Sequence, residues 1–423
     1  MRILIYSYNY YPEPIGIAPL ITELAEGLVK RGHTVRVVTA MPNYPERKIY
    51  DNYRGKLFHT EYKNGVKIQR SYVWVRSTPN LLERFLLDGS FVIFSFLPAL
   101  MGWRPDLILA TSPSLPGCIP SSLLGGLYRC PIVLNLQDIL PEAAIKVGLL
   151  KNPFWIKLLS GLEKFAYRTA TKISVIADGF VENLEGKGVD GNKIAHIPNW
   201  VDTNFVRPLP KENNYFRQAH NLQGKFVILY SGNIALTQGL ETVVKAAATL
   251  QDFADMAFVI VGQEKRLKKL RRECEKYGAE NVLLVPFQPR ERLPEMLAAA
   301  DLSLVVQKKN IIGFNLPSKI QVLMASGRAI VASIPEHGTA ARTMKSSGGA
   351  AIVPPENPQA LAEAILELYK NPETVKNMGY NNRRYAVKHY TIEQALNSYE
   401  SLFERAIGER SVIDSSVVSK QEV

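Results

Sequence analysis

The chain has only three cysteines, Cys118, Cys130 and Cys274, in 423 residues. They are far apart and odd in number. That excludes a disulfide framework and a cysteine-based metal site, and it points to a reducing compartment. The six histidines are scattered. There is no Asp-x-Asp, no P-loop, no nucleophile elbow and no HExxH. A metal-dependent diphosphate site therefore has no visible ligand set. Long apolar runs are missing too. The most apolar window, 85–103, is interrupted by Asp88 and Pro98 and falls short of the roughly 20 clean residues a membrane span needs. The first residues hold one arginine, Arg2, and too short an apolar run for a signal peptide.

What is present is globular. Apolar residues make up 46% of the chain and charged residues 21%. The length allows two domains of about 200 residues, each with a full core. The net charge is +12, which admits nucleic acid, an anionic membrane surface or phosphorylated substrates as partners. The densest basic run, 265–272, keeps Leu267, Leu270, Cys274 and Tyr277 at helical spacing. No aromatic residue interleaves the octet. It reads as a solvated helix face, and no nucleic-acid partner is expected.

The order of elements is that of a doubly wound α/β protein. Residues 2–7 read as a strand, followed by a loop through Gly16, a helix ending near Gly32 and a second strand over 35–40. Asn64-Gly65 between β-rich runs predicts a hairpin. Strands are expected at 106–111, 132–137 and 172–177. Residues 154–170 form an amphipathic pattern, with Trp155, Leu158, Leu159, Leu162, Phe165 and Ala166 on one face, expected to pack on the sheet. Gly186-Lys187-Gly188-Val189-Asp190-Gly191 matches GxGxxG by letter. It follows a helix and precedes a strand, so it is not the dinucleotide fingerprint. The proline-bearing stretch 208–214 reads as a linker region, after which the pattern restarts. A strand at 226–230 leads into the loop Ser231–Gly239 and a helix at 240–250. Further strands follow at 258–261, 282–285, 302–306, 330–332 and 350–353. The predicted architecture is two Rossmann-like units, residues 1–203 and 204–389, with a cleft between them. A helix over 390–408 is expected to return to the first unit, and 409–423 reads as a frayed polar tail.

One stretch concentrates anion-binding potential. Gly313 and Pro317 break regular structure before Ser318, which is expected to cap a helix beginning at Lys319. Gly327 suits the turn that follows. The loop Asn315-Leu316-Pro317-Ser318 would aim backbone N–H groups and the Lys319 cation at one point, a geometry suited to phosphate. Lys308, Lys309 and Arg328 are additional cations nearby in sequence. On the first unit, Asp138 closes the strand 132–137 at its carboxyl end, and Glu142 follows Pro141, which can open a helix. Both carboxylates are thus expected where such sheets place their sites.

These residues together resemble the glycosyltransferases of family four, which have the GT-B fold, and most closely their exopolysaccharide and colanic-acid branch. The resemblance is carried by the 12–16 loop, Lys30–Val35, Leu136–Glu142, Ile197–Asp202, Tyr230-Ser231-Gly232-Asn233, Gln238-Gly239, Pro317-Ser318-Lys319 and Gly327-Arg328. It implies an N-terminal acceptor domain facing a C-terminal domain that binds a nucleoside-diphosphate sugar. It implies no metal and no further cofactor. Transfer would retain the anomeric configuration, with the leaving diphosphate helping to deprotonate the acceptor. Gly16 matches the glycine that approaches the donor phosphate. Gly232 belongs to the donor loop. Asn233 and Gln238 stand where many relatives carry Arg and Lys for the diphosphate, so Lys319 is expected to supply the missing cation. Val322 replaces the usual second glutamate, and Asn315 lies near the first. The Asp138 position contacts the transferred sugar in many relatives, and Glu142 would orient the acceptor.

The acceptor is expected to be a saccharide or a lipid-linked one. The protein is expected to be cytoplasmic and peripheral on the inner face of the plasma membrane, because net charge and the 85–103 window suit an anionic surface. Two other readings stand beside this one. The first is a nucleotide-sugar epimerase, against which the apolar acceptor region argues. The second is a non-catalytic nucleotide-sugar-binding protein, favoured by the absent glutamate.

Overall fold

A computed structural model describes residues 1–14, 16–76, 81–112, 115–146, 148, 150–235, 237–310, 313 and 316–419. The chain forms two compact units, Met1–Pro198 with Ile392–Val423, and Asn199–Thr391.

The first unit opens with strand β1 (Arg2–Tyr6), helix α1 (Ala18–Lys30) and strand β2 (Thr34–Ala40). The hairpin β3 (Phe58–Lys63) and β4 (Val66–Ser71) follows, paired antiparallel with Lys63 opposite Val66. Asn64 and Gly65 both have positive φ, 48° and 81°, as a two-residue hairpin turn demands. Next come α2 (Leu81–Leu100), β5 (Leu107–Thr111), α3 (Cys118–Tyr128), β6 (Ile132–Leu136), α4 (Glu142–Lys146), α5 (Pro153–Thr169), β7 (Lys172–Val175), α6 (Asp178–Gly186) and β8 (Ile194–His196). The sheet order is β3-β4-β2-β1-β5-β6-β7-β8, parallel except for β3. Its central strands are continuous apolar runs buried on both faces, the pattern of a sheet covered by helices on each side.

The second unit contains α7 (Tyr215–Ala219), β9 (Phe226–Ser231), α8 (Glu241–Thr249), β10 (Met256–Gly262), α9 (Glu264–Tyr277), β11 (Val282–Pro286), α10 (Leu293–Ala298), β12 (Leu302–Val306), α11 (Lys319–Ala325), β13 (Ala329–Ser333), α12 (Thr339–Ser347), β14 (Ala350–Val353), α13 (Pro358–Lys370) and α14 (Pro372–His389). Its sheet is wholly parallel, in the order β11-β10-β9-β12-β13-β14. The order reverses beside β9, so the loop after β9 lies at the switch point where such sheets bind ligands. Ile228, Val243, Phe258, Ile260, Leu304 and Ile365 fill one face of the core. In the basic helix α9 only Leu267 and Leu270 are buried, so its cations face water as expected.

The last helix, α15 (Ile392–Ser419), returns to the first unit. The Arg31 guanidinium donates to Asn397 and Glu400, His33 contacts Glu400 at 2.8 Å, and the Asn135 amide donates to the Tyr399 hydroxyl at 2.9 Å.

Four expectations are corrected. The unit boundary lies at Pro198/Asn199, because Val201 N–H donates to Tyr390 O and the Arg383 guanidinium donates to Thr203 O and Val206 O. The 208–214 stretch is not a free linker. Arg328 donates to Leu209 O, Lys211 pairs with Asp301, and Asn214 caps α7 through Arg217 N–H. The tail beyond 408 is helical to Ser419, and Lys172 pairs with Glu409. No proline follows Gly408, and one glycine costs a helix only about 1 kcal/mol. Finally, the α5 stripe does not simply pack on the sheet. Leu158 and Phe165 are exposed, whereas Glu163, Ala166 and Tyr167 are buried. Glu163 can be buried because Lys187 pairs with it at 2.6 Å and the Tyr167 hydroxyl donates to it at 2.9 Å.

Candidate active site

In the second unit the predicted residues converge on Tyr230, the penultimate residue of β9. Its ring is fully buried. Its hydroxyl donates to Asn233 O at 2.9 Å and to Gln238 Oε1 at 3.4 Å. That ties down the loop after β9. Gly232 in this loop has φ of +142°, a region that favours glycine. Gly262, at the end of β10, gives the same loop room. A Cβ there would lie 2.4 Å from Ile234 Cδ1.

Lys319 lies against this loop. Its Nζ stands 3.8 Å from the centroid of the Tyr230 ring and 3.8 Å from the place a Cβ would take on Gly232. The amine is buried and has no hydrogen-bond partner among the described residues. The ring face offers a cation some attraction, but not the three acceptors an ammonium seeks. Burial pushes the Lys319 amine down to about 7. A buried amine with no hydrogen-bond partner among the described residues, beside a glycine loop at a sheet switch point, has the donors and, when protonated, the charge to hold an anion.

The helix behind Lys319 contributes less than expected. Ser318 does not cap α11. Its backbone is already in the right-handed helical region, φ −59° and ψ −18°, and its side chain makes no capping bond. A capping residue needs extended backbone to fold its hydroxyl onto the first amides. Pro317 O instead accepts from Ile320 N–H at 3.0 Å. Leu316 is buried as a local anchor, Ser318 is exposed, and Asn315 lies outside the described residues. Gly327 closes α11 with φ of +68°, as its position in sequence suggested.

In the first unit, Gly16, Asp138 and Glu142 lie beyond the carboxyl ends of β1 and β6, on one edge of the parallel sheet. Gly16 is exposed, with φ of +73°. Its loop is held by Glu13, which sequence reasoning passed over. The buried Glu13 carboxylate accepts from Asn43 N–H at 2.8 Å, Tyr44 N–H at 2.9 Å and the Asn9 amide at 2.7 Å. Desolvation raises its pKa, and these donors oppose the rise. A glutamate four residues from Asn9 was the available signal, but nothing local marked it as buried.

Asp138 is exposed, and among the described residues no hydrogen bond or ion pair engages its carboxylate. Neighbouring protein still removes part of its hydration, which raises its pKa. Glu142 is placed differently. It accepts from the Asn183 amide at 2.9 Å and lies 3.3 Å from Lys187, so it ties α4 to α6. Of the two carboxylates, Asp138 is the one without a partner among the described residues. Among the described residues, no three His, Cys, Asp or Glu side chains form a group able to hold a metal ion.

Comparison with known proteins follows the same division. Residues 16–200 match the family described as glycosyl transferase 4-like domain, and residues 212–385 match glycosyl transferases group 1. The colanic acid biosynthesis glycosyl transferase WcaI of Escherichia coli K12 is 32% identical over 382 residues, 88% of this chain and 93% of its own. The Escherichia coli O-antigen chain mannosyltransferase C is 24% identical over 442 residues, 97% of this chain and 100% of its own. Among solved structures, the sucrose-phosphate synthase of Thermosynechococcus elongatus superimposes with a TM-score of 0.74 at 16% identity, covering 97% of this chain and 100% of its own. Anabaena HepE in complex with UDP and glucose gives 0.68 at 15% identity, covering 96% and 100%.

Proposed function

We propose, for a chain that belongs to the GT-B glycosyltransferases of family four, that it moves a sugar from a nucleoside-diphosphate donor to a saccharide or lipid-linked acceptor in exopolysaccharide or cell-envelope glycan synthesis. The observation that carries the donor half is Lys319. Its buried amine has no hydrogen-bond partner among the described residues and stands beside Gly232 and the loop pinned by Tyr230. A diphosphate in the second unit supplies an anion for it. Asn233 and Gln238 add neutral hydrogen bonds where a charged pair would otherwise stand. The solved complex of HepE with UDP and glucose supports a nucleotide sugar as ligand class. The names of WcaI and the O-antigen enzyme support envelope glycans as product class.

The reaction needs no metal. The acceptor hydroxyl attacks the anomeric carbon as the bond to the diphosphate oxygen breaks. The hydroxyl proton passes to the departing diphosphate, and configuration is retained. Lys319 stabilises the charge that grows on the leaving group. Asp138 orients a sugar hydroxyl and stabilises positive charge developing at the anomeric carbon. Gly16 lets the chain approach the donor closely, and Glu142, itself tied to Asn183 and Lys187, orients the acceptor side through α4. The protein works at the cytoplasmic face of the membrane, where lipid-linked acceptors are found. Among the described residues no helix is long and apolar enough to cross a membrane.

Titration calorimetry with UDP-, GDP- and ADP-sugars tests the donor site. One of them binds, and EDTA leaves the affinity unchanged. Charge-assisted hydrogen bonds are worth about 1.5–3 kcal/mol, so Lys319→Ala weakens that binding by about one to two decades. Unchanged affinity in Lys319→Ala would remove Lys319 from the site. Slow donor hydrolysis without acceptor separates a transferase from a protein that only binds the nucleotide sugar.

A further inference from the structure

Three neighbouring helices of the first unit carry apolar stripes that no part of the described chain covers. On α2, Ile93 and Leu97 are exposed, Ile93 by 71%, and Met101 follows at the same spacing of four. On α3, Ile119, Leu123 and Leu127 repeat at intervals of four, with Leu127 63% exposed. On α5, Phe154 and Leu158 are four apart, with Phe154 67% exposed, and Phe165 continues the stripe. A period of four on a helix is one face. The helices form one layer. The Tyr128 hydroxyl of α3 donates to Ala99 O and Leu100 O of α2, and the Ser122 hydroxyl of α3 donates to Thr169 Oγ1 of α5. The end of α2 is rigidly held, since the buried Arg36 guanidinium donates to the Pro98, Ala99, Met101 and Trp103 carbonyls.

Scattered exposed leucines need no explanation, but aligned stripes on adjacent helices do. The charges beside them identify the occupant. Arg104, Arg129, Lys157, Lys164 and Arg168 are exposed on these helices or at their ends. Among the described residues, α2, α3 and α5 carry no exposed carboxylate. Glu163 is buried, and Glu83 and Asp88 are half-buried. An isologous contact with a second copy would set these cations near one another, and like charges at an interface oppose pairing.

We infer that the α2–α3–α5 layer is the membrane-docking face of this enzyme, lying in the surface of an anionic bilayer with its apolar stripes among the acyl chains and its cations on lipid phosphates. The helices lie on the bilayer and do not span it. The inference rests on the reading of this enzyme as one that works at a membrane, and it adds which face meets the lipid. The apolar stripes supply the insertion and the cations supply a salt-sensitive attraction to anionic headgroups.

The test is flotation of the full chain with vesicles of phosphatidylcholine, alone or with 30% phosphatidylglycerol. The wild type floats with the anionic vesicles, and high salt weakens the association. The triple variant Ile93→Ser, Leu97→Ser, Leu127→Ser lowers partitioning at least tenfold while nucleotide-sugar affinity stays at the wild-type value. The matched control Tyr62→Ser, Tyr380→Ser alters exposed aromatics elsewhere and leaves partitioning unchanged. Wild-type partitioning by the triple variant would overturn the face and leave the membrane reading standing. A wild type that floats with neither vesicle would overturn both. Sedimentation as a dimer that the triple variant loses, without flotation, would assign the face to a second copy and overturn the proposal.

Discussion

Lys319 holds an amine 3.8 Å over the Tyr230 ring with no hydrogen-bond partner among the described residues. Its pKa falls from 10.5 to about 7. The sign of the consequence is definite. Between pH 7 and 10.5 the unfolded chain holds a proton that the folded chain has lost, so this group makes stability rise with pH across that window. Below pH 7 the full cost of the buried cation is present. Lys319→Met therefore raises the melting temperature of the ligand-free protein at pH 7 and flattens its rise toward pH 9. Thermal unfolding across that range measures both. Donor binding has the opposite slope. The diphosphate favours the ammonium, so above pH 7 binding takes up a proton and affinity falls with pH. An equal affinity at pH 6.5 and 8.5 would contradict this coupling. At Asp138 the discriminating change is Asp138→Asn. It keeps the shape and any capping ability of the residue. We expect wild-type folding and donor affinity, with turnover lower by about a hundredfold or more, the scale of one lost preorganised electrostatic group. Full activity in Asp138→Asn would exclude it from the mechanism.

At the scale of elements, the turn after α11 is held by α14. A Cβ on Gly379 would lie 2.4 Å from Gly327 O, a backbone atom that cannot swing aside. The Asn382 amide donates to Arg328 O at 2.9 Å and Gly349 O at 2.7 Å. Gly379→Ala thus pushes α14 away from the segment that carries Lys319. Overpacking of this kind costs about 1–3 kcal/mol. Chemical denaturation should show that loss, with donor affinity reduced as well. An unchanged denaturation midpoint would mean that α14 yields without strain. The strands, the hairpin at Asn64-Gly65 and the glycine end of α11 were all readable beforehand, because each depends on local periodicity or on one residue's backbone freedom. The Ser318 cap and the burial of Glu163 were not. Both depend on what an element meets after folding.

For the whole molecule, the helix α15 matters more than its position at the edge of the matched families suggests. The matched segments end at residue 385. Beyond them, Tyr399, Leu402, Phe403 and Ala406 are buried in the first unit, and Leu396 packs where a Cβ on Gly27 would intrude. Side chains the size of Leu402 and Phe403 contribute about 1.5–3 kcal/mol each when buried, and a domain's net stability is only about 5–15 kcal/mol. A chain ending at Thr391 should therefore be insoluble or unfold at a much lower temperature, although both matched segments are intact. Soluble expression with an unchanged melting temperature would refute this.

The sequence by itself determined two doubly wound units, the glycine loops after their first strands and the family. These follow from period-two and period-3.6 patterns and from glycines whose backbone no other residue adopts readily. It also singled out Lys319 as a cation at a helix start after a broken loop, and Asp138 as a carboxylate at the carboxyl end of a strand. Only the tertiary structure decided that the Lys319 amine is buried without a partner, that Glu142 is tied to Asn183 and Lys187, and that Glu13 pins the Gly16 loop. It alone showed that the apolar stripes of α2, α3 and α5 turn outward together. The physical reason is the same in each case. Burial, pairing and exposure are set by residues far away in the chain, and a pattern within one helix cannot say which of its faces another element will cover.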